Sequence, residues 1–285
     1  MVGVSTPLIT FLTDYGTQEP YAAEVKGVIK TICPQAEVLD LTHLVPPGDI
    51  HAGAFLLGMA WSVFPRGTVH LAVVDPGVGT ARLPIVLVTP DGYFVGPDNG
   101  LCTYIVRSAL PHAMHHDQHP FLQPVRIPLP DGFSAYALTE ARWLRHPVSR
   151  TFHGRDIFGP CAAWLARGVP PHELGPPLTD VLCLWVPEPH WHEAVLEGLV
   201  LHIDRFGNLL TNIHAHHLDG VDAQQVVIEV GGLAWRGLAE TYADAEWTAH
   251  LESHGWLEIA RRGASAAQAL GAHVGSRVRL RLTGR

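Results

Sequence analysis

The stretch TVHLAVVDPGVGTAR, residues 68–82, decides how the chain is read. Its first seven residues are largely apolar and rich in strand formers, the pattern of a strand buried in a parallel sheet. The run stops abruptly at Asp75. Pro76, Gly77, Val78 and Gly79 follow, a loop that lets backbone approach a ligand closely. Arg82 comes a few residues later, where its charge could keep the carboxylate of Asp75 ionised. A structural Asp–Arg pair bracing a turn would look the same, and on these residues alone both readings stand.

Upstream of this stretch the pattern alternates between strands and helices. PLITFLT (7–13) is a short strand-forming run, and EPYAAEVKGVIKTI (19–32) has apolar residues at helical spacing and ends before Pro34. AEVLDLT (36–42) is a second strand and IHAGAFLLGMAWSVF (50–64) a second, strongly apolar helix. Downstream, LPIVLVTP (83–90) and YFVG (93–96) read as further strands joined by the turn Pro90-Asp91-Gly92. The expected fold is α/β: a Rossmann-like, mainly parallel sheet with helices on both faces.

Composition changes near residues 170–195, where VPPHELGPPLTD and VPEPHWHE hold much of the proline. Beyond it come short strands separated by turns, in EGLVLHIDRFGNLLTNI (197–213), QQVVIEVGG (224–232), GWLEIARR (255–262) and SRVRLRLTG (276–284). SAAQAL (265–270) is the one helical stretch there. The division expected is an α/β domain over 1–178, a linker over 179–194 and a smaller antiparallel, barrel-like β domain over 195–285.

Composition narrows the function. The 285 residues can bury a sizeable core, and a net charge of -8 without a basic stripe argues against nucleic acid as a partner. No apolar run approaches a membrane span, and the first residues lack a signal peptide's basic region and cleavage site, so the expected location is cytoplasmic. The four cysteines, Cys33, Cys102, Cys161 and Cys183, are scattered and read as free thiols. The chain has 19 histidines, but HAMHHDQH (112–119) and HAHH (214–217) read as solvated loops without metal-ligand spacing, so no metal is expected.

In a parallel sheet, ligands bind beyond the carboxyl ends of the strands. Three such ends carry polar groups: Asp14, Thr42 with His43, and Asp75. Asp14 could accept hydrogen bonds from a ribose diol or could simply form a turn. In RTFHGRDIFGPCAAWLA (150–166), His153 could share a proton network with a nearby carboxylate and arginine, while Asp156 reads as a helix cap. No P-loop and no GxGxxG follows the first strand, which disfavours a polyphosphate ligand.

Taken together, FLTDYG, VVDPGVGTAR, GPDNG, TFHGRDIF, IDRFGNLLTNI and GWLEIARR resemble the S-adenosyl-L-methionine (SAM) hydroxide adenosyltransferases, relatives of the fluorinase and chlorinase. The resemblance spans the chain. It implies cleavage of SAM to adenosine and L-methionine by water or hydroxide attacking ribose C5′, with SAM as substrate and no cofactor. It places the family's Asp-Arg-His triad on Asp75, Arg82 and His153, and its ribose-binding acid on Asp14. Adenine and methionine contacts fall on Asp204, Asn208, Ser253 and Arg261, with Phe152 and Phe206 as packing walls. It also implies a homotrimer with sites at subunit interfaces. Two alternatives stay open: halogenase-like adenosyl transfer from SAM, and a non-enzymatic SAM- or adenosine-binding protein. Against the halogenase stand the retained acid and histidine, and Gly48 where the fluorinase has a tryptophan.

Overall fold

The computed structural model describes residues 6–110 and 119–283, so the histidines within 112–118 lie outside it. Two compact units are present. The first holds the described residues up to 110 and residues 122–185; the second holds 119–121 and 186–283.

The first unit opens with β1 (Leu8–Thr13), α1 (Tyr21–Ile32), β2 (Glu37–Thr42), α2 (Ile50–Trp61) and β3 (Thr68–Val73). It continues with β4 (Pro84–Val88), β5 (Gly92–Pro97), α3 (Thr103–Arg107), β6 (Pro124–Pro128), β7 (Ser134–Ala137), α4 (Gly159–Ala166), β8 (Pro177–Leu178) and β9 (Asp180–Leu184). Seven strands form one sheet in the order β2-β1-β3-β5-β4-β7-β8, while β6 pairs with β9 separately. The β2-β1-β3-β5 half is parallel, and every residue of β3 is buried. The other half is antiparallel, so the sheet is mixed rather than mainly parallel. The cause is the short turn after β4, where Thr89 Oγ1 accepts the amides of Asp91 and Gly92. A connection that short can only return the chain antiparallel.

Helices cover both faces. On one, Val25 and Ile29 of α1 and Phe158 and Cys161 beside or within α4 pack with Ile9, Phe11, Val69 and Leu71. On the other lies α2, capped by Asp49, whose Oδ1 accepts the amide of Ala52 at 2.9 Å. Its Gly53 faces the sheet so closely that a Cβ there would sit 2.9 Å from Leu101 and 3.0 Å from Val74. Alternate residues of β1 thus serve two different helix layers.

The second unit contains β10 (His190–His192), β11 (Val195–Ile203), β12 (Leu209–His214), β13 (Val226–Val230), β14 (Leu233–Arg236), β15 (Trp247–Leu251), β16 (Trp256–Arg261), α5 (Ala266–Leu270) and β17 (Arg277–Leu282). They form an antiparallel, nearly closed barrel-like sheet in the order β14-β13-β17-β11-β12-β16-β15, with β10 added to β11. Its core includes Leu196, Val200, Ile213, Ile228, Ile259 and Leu280. Strands β9 and β10 fall inside the proline-rich stretch 179–194. All four cysteines are free and buried. Among the described residues no helix is long and apolar enough to cross a membrane.

His70, at the centre of β3, is 2% exposed and shares a 2.8 Å hydrogen bond with Thr10 Oγ1. Burial lowers its pKa to about 4. The folded state therefore resists protonation, and stability present above the ordinary histidine value is lost as pH falls from 6.5 towards 4. Denaturant melts at pH 7 and pH 4.5 should show His70→Gln sparing about 2–3 kcal/mol of the acid loss. An identical loss in both proteins would remove His70 as the cause.

Candidate active site

The carboxyl ends of β1 and β3 lie side by side because those strands are parallel neighbours, with Thr13 paired to Val73. Asp14 and Asp75 follow one and two residues later, at the same end of the sheet. Asp14 Oδ2 accepts the amide of Gly48 at 2.8 Å, which ties it to the loop before α2. His43 turns inward instead: it is buried, bonded to Thr13 Oγ1 at 2.8 Å and packed edge-on to Phe11. Thr42 accepts the amide of Leu44. Of the three polar strand ends, two face the pocket and one supports it.

Arg82 grips Asp75 with two donors, Nε to Oδ1 at 2.8 Å and Nη2 to Oδ2. The same Nη2 lies 2.8 Å from His153 Nδ1. Both partners of the ion pair are almost fully buried, at 9% and 6% side-chain exposure for Arg82 and Asp75, and the guanidinium stacks 5.0 Å over Phe158. Burial and the charge of Arg82 lower the pKa of His153. A guanidinium only donates, so Nδ1 of His153 is the acceptor and the neutral ring carries its proton on Nε2. Asp75 and Arg82, close in sequence, and the distant His153 form one hydrogen-bonded array.

Two loops hold the array. In the Pro76–Gly79 turn, Gly79 has φ +77°, and a Cβ there would lie 2.6 Å from the carbonyl of Arg150. Glycine is thus required both for conformation and for contact between the loops bearing Asp75 and His153. The carboxamide of Asn99, from GPDNG, donates to the carbonyl of Val74 at 2.9 Å and pins the residue before Asp75. His153 itself precedes a single π-helical turn, Gly154–Phe158. Asp156 caps no helix there. Its fully buried carboxylate accepts from Arg145 (2.9 Å), Arg155 (2.8 Å) and the amide of Ser149 (2.9 Å), so it staples residues 145–156 into one loop. These charged and backbone donors hold its pKa below the usual carboxylate value against the effect of burial.

Between the loops lies an open pocket of about 220 Å³ lined by Asp14, Tyr15, Gly48, Asp75, Thr151, Phe152, His153 and Gly154 among others. Tyr15 and Phe152 form its aromatic wall, and Tyr21 packs against both, with the three ring centroids 5.5–6.1 Å apart in edge-to-face contacts. Tyr15 was not among the residues expected at the site, although it stands in FLTDYG next to Asp14. Its phenol is buried, and burial together with Asp14 and Asp75 raises its pKa.

The remaining expected residues lie in the second unit. Asp204, Phe206 and Asn208 share the β11–β12 turn, where Asp204 Oδ1 accepts the amides of Phe206 and Asn208 at 2.9 and 2.8 Å. Phe206 is 76% exposed. Leu209 pairs with Ile259, so Arg261 belongs to the same end of the ladder; it bonds Glu246 at 2.9 Å and stacks on Trp247. Ser253 is at the opposite end, in the β15–β16 turn with Glu252 and His254. Asp204, Phe206 and Asn208 thus share one turn, with Arg261 at the same end of the ladder, and Ser253 follows Glu252, which with Asp204 and Asn208 acts on the side chain of Glu258. Among the described residues no three His, Cys, Asp or Glu side chains converge as a metal site.

The chain matches the family model of the SAM hydroxide adenosyltransferase N-terminal domain over residues 9–175 and that of the C-terminal domain over 198–279. It is 38% identical over 277 residues to a protein of Salinispora tropica named (R)-S-adenosyl-L-methionine hydrolase, covering 96% of this chain and 98% of the relative. A Thermus thermophilus protein of the same name is 38% identical, with coverage of 95% and 98%. A fluorinase of an Actinoplanes species is 27% identical, with coverage of 92% and 93%. The crystal structure of an uncharacterized conserved protein from Thermotoga maritima superposes with a TM-score of 0.83 at 34% identity, covering 95% of this chain and 99% of that one.

Gly154 gives a direct test of the wall's packing. A Cβ at this position would stand 2.1 Å from the Tyr15 hydroxyl oxygen and 3.2 Å from its ring carbon. Gly154→Ala should cost about 1–3 kcal/mol of stability. Adding Tyr15→Phe, which removes the clashing oxygen, should restore most of it in a double-mutant cycle; additive losses would show that the two positions do not meet.

Proposed function

The chain belongs to the SAM hydroxide adenosyltransferase family, and from that membership we propose that it hydrolyses (R)-SAM to adenosine and L-methionine. One observation carries the reading: the Asp75–Arg82–His153 array borders the same pocket as Asp14. That arrangement suits displacement at a ribose C5′. The sulfonium of SAM makes methionine a neutral leaving group, so the protein needs only to align the substrate and poise a water. Asp14 takes the ribose diol. Asp75 orients the water and accepts its proton as the C5′–O bond forms. Arg82 fixes the carboxylate, and His153 offers its Nε2 proton as a second anchor for the water. Asp75, Arg82 and His153 act here as one coupled unit.

In this reading Asp204, Asn208, Ser253 and Arg261 contact adenine and methionine, Phe152 and Phe206 pack the substrate, and the assembly is a homotrimer, which light scattering tests. No resident metal or cofactor is needed, so turnover should survive chelator treatment. A halide is a poor fit beside Asp75, because a carboxylate repels an anion.

The test is to incubate chelator-treated protein with SAM in ¹⁸O-water, with and without chloride. Adenosine labelled at the 5′ oxygen, together with methionine, is expected. A 5′-halo nucleoside would move the protein to the halogenase branch, and intact SAM would leave a binding protein. Asp75→Ala and His153→Ala should each lower turnover by roughly 10²–10⁴-fold while adenosine still binds. Asp14→Ala should instead weaken adenosine binding. His153 works neutral and its pKa is depressed, so the rate should hold as pH drops through 6.5 and fall below it.

A further inference from the structure

The buried strand end beside the pocket decides how Asp14 is held. Thr13 is fully buried at the last position of β1. Its Oγ1 accepts the amide of Tyr15 at 3.1 Å and lies 2.8 Å from Nδ1 of His43. On the far side of that ring, Nε2 stands 3.1 Å from Oδ1 of Asp40, whose Oδ2 takes Nζ of Lys26 from α1 at 2.6 Å. An anion beside Nε2 keeps the ring proton there. Nδ1 of the neutral ring is then an acceptor, and the Thr13 hydroxyl donates to it. That hydroxyl thus has one direction, and its lone pairs are left for the amide of Tyr15.

Asp14 sits between the two residues joined by the Thr13–Tyr15 bond. The amide of Gly16 donates to the carbonyl of His43 at 2.7 Å, and the carboxylate of Asp14 takes the amide of Gly48 at 2.8 Å. Residues 13–16 are therefore fastened to residues 43–48, with Asp14 lining the pocket and Thr13 and His43 buried behind it. Thr13 and His43 do not line the pocket themselves.

We propose that His43 and Thr13 are positioning residues for Asp14: through the Tyr15 amide they set the direction of its carboxylate without touching substrate. The inference rests on the reading in which Asp14 takes the ribose diol. A carboxylate meets a vicinal diol through two hydrogen bonds, so it must be held in direction as well as in place.

The experiment measures adenosine affinity by calorimetry, and KM and kcat for SAM, in Thr13→Val, His43→Leu, Thr13→Ser and His43→Asn, with Asp14→Ala as the reference. The first two break the Thr13–His43 bond. Serine keeps the hydroxyl, and asparagine keeps a polar atom near the place of Nδ1. Adenosine affinity and KM should weaken roughly tenfold in Thr13→Val and His43→Leu, short of the hundredfold that a 1 Å misplacement can cost. Their kcat should change little, and Thr13→Ser and His43→Asn should bind adenosine almost as the wild type does. Circular dichroism checks each fold, and one folded breaking variant suffices. Unchanged adenosine affinity in such a variant, or a loss of kcat at constant KM, would overturn the proposal. Failure of both breaking variants to fold would make the bond a structural brace and overturn it too. Unchanged affinity in Asp14→Ala would instead remove the ribose reading, and this inference with it.

Discussion

The first unit is organised around a buried ion pair at the end of its central strand. Removing Asp75 and Arg82 from water costs several kcal/mol per ion, and their attraction offsets this only while the geometry is held. The two-donor grip and the stacking on Phe158 hold it from within the pair. Asn99 holds the backbone before Asp75, and the Gly79–Arg150 contact holds the loop after it. Each of these contacts comes from a different part of the chain. The pair therefore acts as a check on the whole unit: if any one element shifts, two charges are left buried and poorly matched.

A second buried carboxylate plays a complementary part. Asp156 has no access to solvent and takes its donors from Arg145, Ser149 and Arg155. It does not line the pocket. Its effect is to give the segment between Ser149 and Asp156 one shape, and that segment carries Thr151, Phe152 and His153 into the pocket. The π-helical turn starting at Gly154 is the local distortion that lets His153 reach Arg82 while Phe158 stays beneath the guanidinium.

Much of this was legible in the sequence, for physical reasons that also mark its limits. β3 and the acids at the ends of β1 and β3 follow from apolar runs that stop at a polar residue, a local signal. The mixed character of the sheet was half visible, since the turn at Pro90 already required an antiparallel return. Asp156 was misread as a cap because capping rules look three residues ahead, whereas its donors lie mostly behind it, at Arg145 and Ser149. Strands β14 (LAWR) and β15 (WTAHL) give little local signal because they are only four and five residues long.

In the proposed reaction, the charge balance of the pocket bears on why an arginine belongs beside Asp75. Asp14 and Asp75 carry two negative charges, Arg82 returns one positive, and His153 is neutral, which leaves one net negative charge facing the pocket. For a cationic substrate such as a sulfonium, negative charge improves binding, but the positive charge is dispersed as the carbon–sulfur bond breaks. Uncompensated carboxylates would therefore stabilise the bound substrate more than the transition state and slow the reaction. Arg82 cancels one of the two negative charges while keeping the carboxylate of Asp75 aimed. A carboxylate able to take a proton, yet half-neutralised towards a cation, is what water attack on a sulfonium calls for. Loss of Arg82 should then tighten sulfonium binding even as turnover falls, whereas loss of a merely structural brace would weaken both.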